Sequence, residues 1–299
     1  APGPWRDQVT IRHALAHCSG LPGYSADSVA LRRAHRPLAD FVKSYGSAPL
    51  LFQPGTLHYY SNCGILMVAE TIARAVAGCL RQRLTEPAIS AYHPAVHSVV
   101  LDPLAMSDTT FFPDAGYAER VARVHGVTGQ EPDWEMSNST YYRSLGIPWG
   151  GLYSTPRDLA KFIDAFLPAA GGRSRLAGNA RLLSAPTTAT MTTMQFAPPD
   201  APAALAPDLR DSPPLETPRP AVDWGIGWLL RGRQQPHRFG SLTSQGTFGH
   251  LGASGTMAWA DPALDLVVVL LTNRTLSTGW ATDVPRLALF SNAIVGALA

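Results

Sequence analysis

The sequence has few of the features that mark several common classes of protein. Its 299 residues include three cysteines and carry a formal net charge of only +2. Cys18, Cys63 and Cys79 are widely spaced and lack a C-x-x-C pair, so they indicate neither a disulfide framework nor a thiolate zinc site. No block of Lys and Arg supports a nucleic-acid partner. We therefore expect free thiols and a small-molecule partner.

Long apolar runs are also missing. The longest, residues 264–271, is interrupted by Asp265 and falls well short of the ~20 residues that span a bilayer. It predicts a strand, and no membrane span is expected. With 45% hydrophobic and 15% charged residues, the chain can still bury a large core in one large domain or two closely packed lobes.

Helical periodicity dominates the first two thirds of the chain. Residues 10–17 predict a short helix, which the turn residues of 19–23 end. A longer helix is predicted from Ser61 to Leu80, with a buried face of apolar residues at three- and four-residue steps. These residues are Ile65, Val68, Ile72 and Val76.

The last third begins with a proline-rich segment and continues as strands. Residues 197–221 hold eight prolines, which exclude a helix interior or a central strand and predict a surface loop or lid. The strands that follow are joined near their end by a turn at 261–263. They are predicted over 224–230, 247–251, 255–260 and 264–272, with a terminal helix over 284–298. We thus predict an α+β chain with three parts: a mainly helical lobe (1–196), the proline-rich loop (197–221) and the C-terminal part of a sheet lobe (222–299).

Several short motifs occur in one order along almost the whole chain. Each is weak alone, but together they resemble the β-lactamase-related serine hydrolases, a family that contains class C β-lactamases, D-aminopeptidases, DD-carboxypeptidases and esterases. The motifs are Val9–His13 with His17–Pro22, then Pro54-Gly55-Thr56, Tyr60-Ser61-Asn62, Gly150–Thr155 and Gly249-His250-Leu251-Gly252. The resemblance implies a β-lactamase/transpeptidase-like α+β fold, with a helical lobe beside an antiparallel sheet that is flanked by helices and incomplete at its N-terminus.

The first candidate catalytic residues are Tyr60 and Asn62. Acyl transfer by a serine needs a base that takes the hydroxyl proton and returns it to the leaving group, and a tyrosine oxygen near cations can do this. The alternative for Tyr60 is that it anchors the start of a helix. Asn62 can hold a substrate carbonyl and orient a catalytic amine through its acceptor and two donors. Its alternative is to cap the following helix.

The second group of candidates lies in the last motif and in the glycine pair. The resemblance places His250 near the substrate carboxylate or the Tyr60 oxygen, although a lone strand histidine is usually only a packed neighbour. Gly252 in a strand often marks close approach of a ligand, and the Ala253 N–H would be one oxyanion-hole donor. Ser254 and Gly151 are the further predicted substrate-binding residues. No cofactor is implied, and the expected substrate is an ester, a lactam or a D-amino peptide.

The nucleophile is absent from this sequence. The only lysines, Lys43 and Lys161, are preceded three residues earlier by Asp40 and Asp158, so no S-x-x-K motif occurs, and neither does G-x-S-x-G. The resemblance implies that the Ser and Lys lie upstream of this chain, and it is compatible with a periplasmic or secreted protein. The alternative is a non-catalytic binding or regulatory homologue that has lost the nucleophile.

A metal site is not predicted. His13 and His17 are four residues apart, as in a two-histidine metal face, but no Glu follows His13 and no third ligand is evident.

Overall fold

The computed structural model describes residues 4–78, 86–113, 115–125, 138–196, 223–232, 238–275 and 280–298. In these ranges the α-helices are α1 (Ile11–Leu15), α2 (Ser28–Arg33), α3 (Leu38–Ser47), α4 (Asn62–Val76), α5 (Tyr92–Val96), α6 (Ala115–Ala118), α7 (Thr140–Leu145), α8 (Pro156–Asp164), α9 (Ala185–Met191) and α10 (Trp280–Gly296). The strands are β1 (Arg173–Ser174), β2 (Ala180–Arg181), β3 (Leu229–Leu230), β4 (Phe248–Leu251), β5 (Met257–Asp261) and β6 (Leu266–Leu270). The predicted α+β class is confirmed. No helix in the described ranges is long and apolar enough to cross a membrane.

The main sheet is antiparallel, with strand order β3-β4-β5-β6. Its β4 and β5 strands pair from Phe248 opposite Ala260 to Leu251 opposite Met257. The turn after β5 begins at the fully buried Asp261, whose carboxylate accepts the Ala263 N–H at 2.9 Å. This turn confirms the predicted hairpin between β5 and β6.

Helix α8 packs on one face of this sheet through an apolar cluster. Both elements place large side chains there, and burial of such surface stabilises the fold by roughly 25 cal/mol per Å². The cluster includes Ile163, Phe166, Trp228, Leu230, Phe248 and Ala260. Helix α8 lies against β5 and β6, and Phe248 joins β4, the strand that carries His250, to the same cluster.

By Cα proximity the chain forms two compact units. The first comprises Ala1–His97, Ile147–Trp149 and Met194–Gly227, and the second comprises Ser98–Gly146, Gly150–Thr193 and Trp228–Ala299. The second unit thus groups α8 and α9 with the strands. The predicted proline-rich loop 197–221 lies outside the described residues, and the predicted division into a helical lobe and a sheet lobe stays a prediction.

Strand β3 is much shorter than the predicted strand 224–230. Within this range only Leu229–Leu230 forms a strand of the main sheet. Trp224 instead packs edge-on to His17, with ring centroids 4.8 Å apart, and Gly227 has φ +75, outside the β region. A tertiary aromatic contact has therefore overridden the local preference for a strand.

Helix α4 is confirmed, but its predicted buried face is wrong. Ile72 is 39% and Val76 60% exposed, whereas Leu66 and Ala73 are fully buried. The helix contacts α1 and α3, and a Cβ on Gly64 would lie 3.5 Å from the α1 backbone. Small residues on α4 allow its backbone to approach α1 closely. This close packing, and not the predicted row of larger apolar side chains, determines which face of α4 is buried.

A substitution at Gly249 is expected to destabilise the sheet. A Cβ there would lie 2.3 Å from the Ala258 oxygen and 2.6 Å from the Trp259 Cβ, so Gly249→Ala should cost ~1–3 kcal/mol through overpacking. Urea unfolding measures the cost. The matched control is Gly246→Ala in the same unit, whose Cβ would make an ordinary 3.7 Å contact with Pro262, with an expected change within ~0.5 kcal/mol. Equal effects of the two variants would contradict this account.

Candidate active site

The Tyr60-Ser61-Asn62 motif is held by the segment formed by residues 17–23. The backbone of this segment and the His17 side chain accept hydrogen bonds from residues 59–62. They run from Tyr59 N to His17 O (2.7 Å), from Ser61 N to His17 Nδ1 (3.1 Å), from Ser61 Oγ to Pro22 O (2.7 Å) and from Asn62 N to Gly23 O (3.1 Å). The backbone on both sides of Tyr60 is therefore fixed.

The Tyr60 ring packs against other aromatic rings and remains 38% exposed. Its centroid lies 4.2 Å from that of His17 and 5.8 Å from that of Trp224. Burial, with a smaller contribution from Tyr24, raises the pKa of Tyr60 to about 12. A general base works best with a pKa near the operating pH, so these neighbours alone do not prepare Tyr60 to take a proton.

Asn62 does not cap helix α4. Ser61 is the N-cap, and its Oγ accepts the Gly64 N–H at 2.9 Å, so the capping alternative for Asn62 is wrong. Asn62 is the first residue of α4 and only 6% exposed. Its carboxamide makes no hydrogen bond to the described part of the chain. The Asn62 side chain is thus available to a ligand.

His250 lies on β4 and is half-buried. Its Nδ1 lies 2.9 Å from Leu251 N and 2.8 Å from Leu251 O, so the ring is fixed by its own neighbour. Burial lowers the pKa of His250 most strongly, and the Arg238 charge lowers it further, while the Leu251 backbone acts in the opposite sense. The imidazole is therefore neutral at pH 7.

This lowered pKa predicts a pH dependence of stability. Since the folded-state pKa of His250 lies below the ordinary imidazole value of 6.5, the unfolded chain binds the proton more readily, and stability falls as the pH drops through 6.5 toward the folded-state value. We expect His250→Gln to flatten the Tm between pH 7.5 and 5 relative to the unsubstituted chain. An identical slope for both chains in thermal melts would contradict the assignment.

The residues after β4 form a tight turn. Gly252 N donates to Thr256 O at 2.8 Å, and Gly255 N donates to Gly252 O at 3.0 Å. Ala253 is exposed at this turn, and its N–H has no hydrogen-bond partner in the ranges that the structure covers. A Cβ on Gly252 would lie 2.1 Å from Thr256 Oγ1, so a larger residue here would displace the Thr256 hydroxyl. Ser254 is half-buried beside it.

Gly151 is buried next to a second backbone pairing. It follows Gly150, which has φ +150, and precedes Tyr153, whose N–H and O pair with Thr110 at 2.8 and 2.9 Å. Burial raises the pKa of Tyr153, and the charge of Arg143 partly opposes this. Gly151 thus lies two residues before this pairing.

The predicted site residues fall into two local groups. Tyr60 and Asn62 lie together at the start of α4 in the first unit, and the five others lie in the second unit. Those five are Gly151, His250, Gly252, Ala253 and Ser254. Sequence reasoning missed His17 and Trp224 beside Tyr60. His17 lies in the His17–Pro22 motif, which could have suggested a role for it. No local sequence feature distinguishes Trp224.

The part of the chain that the structure describes contains no group of three or more His, Cys, Asp or Glu that could hold a metal. Cys18 and Cys63 are free and buried.

Comparison with known proteins identifies relatives over most of the chain. A candidate D-alanyl-D-alanine carboxypeptidase from Salmonella paratyphi B is 25% identical over 290 residues, which cover 90% of this chain and 58% of the relative. A β-lactamase from Mycobacterium bovis has 25% identity and a TM-score of 0.55, covering 99% of this chain and 76% of that structure. A penicillin-binding protein homologue from Caulobacter crescentus has 20% identity and a TM-score of 0.67, covering 97% and 73%.

These likenesses confirm the predicted β-lactamase/transpeptidase-like fold. The chain spans less than two thirds of the length of the carboxypeptidase-like relative that it matches. A family model described as β-lactamase matches residues 1–291, and the chain therefore belongs to the β-lactamase family.

Proposed function

We propose that this chain is part of a serine hydrolase that cleaves an ester or amide through an acyl-enzyme, with a nucleophilic Ser and its Lys upstream of residue 1. The observation that carries the proposal is that two polar groups at the predicted positions make no hydrogen bond within the described residues. Asn62 is buried with an unpaired carboxamide, and Ala253 presents an unpaired N–H, within the described residues. Both are groups that a substrate carbonyl or its oxyanion would engage.

The Ala253 N–H suits the oxyanion because its surroundings hold it still. The hydrogen bonds of the 252–256 turn fix the backbone, so the donor is oriented before the substrate arrives. Such preorganised donors stabilise the tetrahedral transition state by ~3–4 kcal/mol each. The second donor would be the backbone N–H of the upstream serine.

In the proposed reaction, the serine oxygen bonds to the carbonyl carbon while its proton passes to the Lys and Tyr60 pair. The tetrahedral intermediate then releases the alcohol or amine, which takes that proton. In the second half, water attacks the acyl carbon while the same pair takes its proton, and the intermediate then releases the acid as that proton passes to the serine oxygen. Asn62 orients the substrate carbonyl and the lysine amine, and His250 faces the substrate as a neutral donor or acceptor.

The pKa of Tyr60 supports the need for an upstream cation. Burial raises it to about 12 in this chain, and an opposite charge within about 4–6 Å is the main way to lower the pKa of a buried phenol. The upstream lysine would supply that charge.

The test is to read the coding sequence upstream of residue 1 and to assay the longer protein. We expect an S-x-x-K motif upstream and turnover of p-nitrophenyl esters or a D-alanyl dipeptide that is lost on replacing that Ser by Ala. Absence of S-x-x-K in the extended reading frame would refute the proposal and favour a binding protein without a nucleophile. Binding of a penicillin to the longer protein without any acylation would also favour that alternative.

A further inference from the structure

The further inference concerns His17, which neither the sequence nor the family comparison assigned a function. His17 contacts the polypeptide on both sides of Tyr60. Its backbone O accepts the Tyr59 N–H at 2.7 Å, and its Nδ1 accepts the Ser61 N–H at 3.1 Å. One residue therefore fixes the chain directly before and directly after the candidate base.

We infer that His17 is a positioning residue that holds Tyr60 in place for proton transfer. The inference rests on the proposed function, because positioning matters only if Tyr60 acts as a base. His17 does not belong to the reacting groups themselves. It acts through the backbone at Tyr59 and Ser61 and through the ring of Tyr60.

The hydrogen bond to Ser61 defines the state of the imidazole. A backbone N–H can only donate, so Nδ1 must be unprotonated, and the neutral ring carries its proton on Nε2. His17 is only 2% exposed, and a buried imidazolium would be costly. The geometry thus requires a neutral His17 in one tautomer.

The backbone of His17 is adapted to this dual contact. Its φ is +54, a left-handed conformation that is uncommon outside glycine but several-fold enriched in Asn, Asp and His. This turn directs the carbonyl of His17 to Tyr59 while the ring reaches Ser61. Such uncommon conformations persist where the surrounding contacts determine them, and they cluster at functional sites.

The ring of His17 makes a second, separate contribution. Its centroid lies 4.2 Å from that of Tyr60 at an interplanar angle of 37°, and Trp224 packs edge-on to both rings. The imidazole thus covers one side of the Tyr60 ring. It limits the directions that the phenol can take and excludes water from that side.

Two variants separate these contributions. His17→Asn keeps an acceptor near the Nδ1 position and tolerates positive φ, but it lacks the ring. His17→Phe keeps a ring and loses the acceptor, which leaves the buried Ser61 N–H without its partner. We expect Ser61 amide exchange to stay near the unsubstituted rate in the Asn variant and to accelerate at least about tenfold in the Phe variant.

The decisive readout is the titration of Tyr60 in the 299-residue chain. A fluorotyrosine-labelled chain, with the Tyr60 signal assigned through Tyr60→Phe, is titrated by ¹⁹F NMR. We expect the midpoint of Tyr60 to fall by about one pH unit in His17→Asn, because the phenol becomes better solvated, and to fall in His17→Phe as its backbone loosens. The control is Val42→Ala, at a buried position on α3 in the same unit, a substitution expected to weaken the fold. Its Tyr60 midpoint should stay unchanged.

A measurement on the unsubstituted chain covers the case in which both His17 variants fail to fold. Nitrogen-15 NMR of the imidazole should show an unprotonated Nδ1 with a scalar coupling to the Ser61 amide nitrogen. A protonated Nδ1, or Tyr60 midpoints that move as much in Val42→Ala as in the His17 variants, would overturn the inference. None of these experiments needs catalysis, so a failure here is distinguishable from a failure of the proposed hydrolase.

Discussion

Replacing Tyr60 by Phe is expected to lower kcat/KM of the nucleophile-bearing protein by ~10²–10⁴-fold, the contribution of a positioned general base. The substitution removes only the hydroxyl, and the ring contacts with His17 and Trp224 persist. The folded structure should therefore be retained, and the loss should be chemical. Ester hydrolysis measured under saturating and limiting substrate separates the effect on kcat from that on KM, and we expect kcat to carry it.

The matched control for this prediction is Tyr92→Phe. Tyr92 lies in the same unit, and burial raises its pKa to about 12 as it does for Tyr60, but it has no role in the proposed site. Activity of Tyr92→Phe within about twofold of the unsubstituted protein is expected, since substitutions away from special features change little. If Tyr60→Phe were as active as this control, Tyr60 would be only an anchor for helix α4.

The second large effect is expected at Ala253, where proline would remove the N–H. Loss of one oxyanion-hole donor costs ~10²–10³-fold in kcat. Substrate binding should change little, because the donor engages the charge that develops in the transition state. Ala253→Gly keeps the N–H and is the control, with kcat expected near that of the unsubstituted protein.

Proline also adds a ring to the turn, and a backbone ester at residue 253 separates the two effects. This replacement removes the N–H without changing the side chain. A similar loss of kcat in the ester and proline variants would support an oxyanion donor. A fully active ester variant would exclude Ala253 from that role.

Order and spacing of motifs were enough to predict the family and the α+β class, because they reflect the succession of turns, helix starts and strands. The start of α4 followed from the turn and the polar residues before it. Local chemistry also explains the hairpin at Asp261, since a carboxylate that accepts nearby N–H groups favours a turn wherever it lies.

Features that depend on distant packing could not be predicted in this way. The row formed by Ile65, Val68, Ile72 and Val76 had the periodicity of a buried face, yet close packing of small residues turned α4 to another face. Trp224 had a strand pattern, but it packs beside His17 and Tyr60, far away in sequence. His17 and Trp224 therefore entered the candidate site only through the structure, while the roles of Tyr60, Asn62, His250 and Ala253 stay predictions.

The most direct test of the central claim is to find which serine forms a covalent adduct. The 299-residue chain and the longer protein are each incubated with a fluorophosphonate and with a penicillin, and the adducts are mapped by peptide mass spectrometry. The account predicts one adduct in the longer protein, on a serine of an upstream S-x-x-K motif, and none on any serine of residues 1–299. A stoichiometric adduct on a serine within residues 1–299 would contradict it.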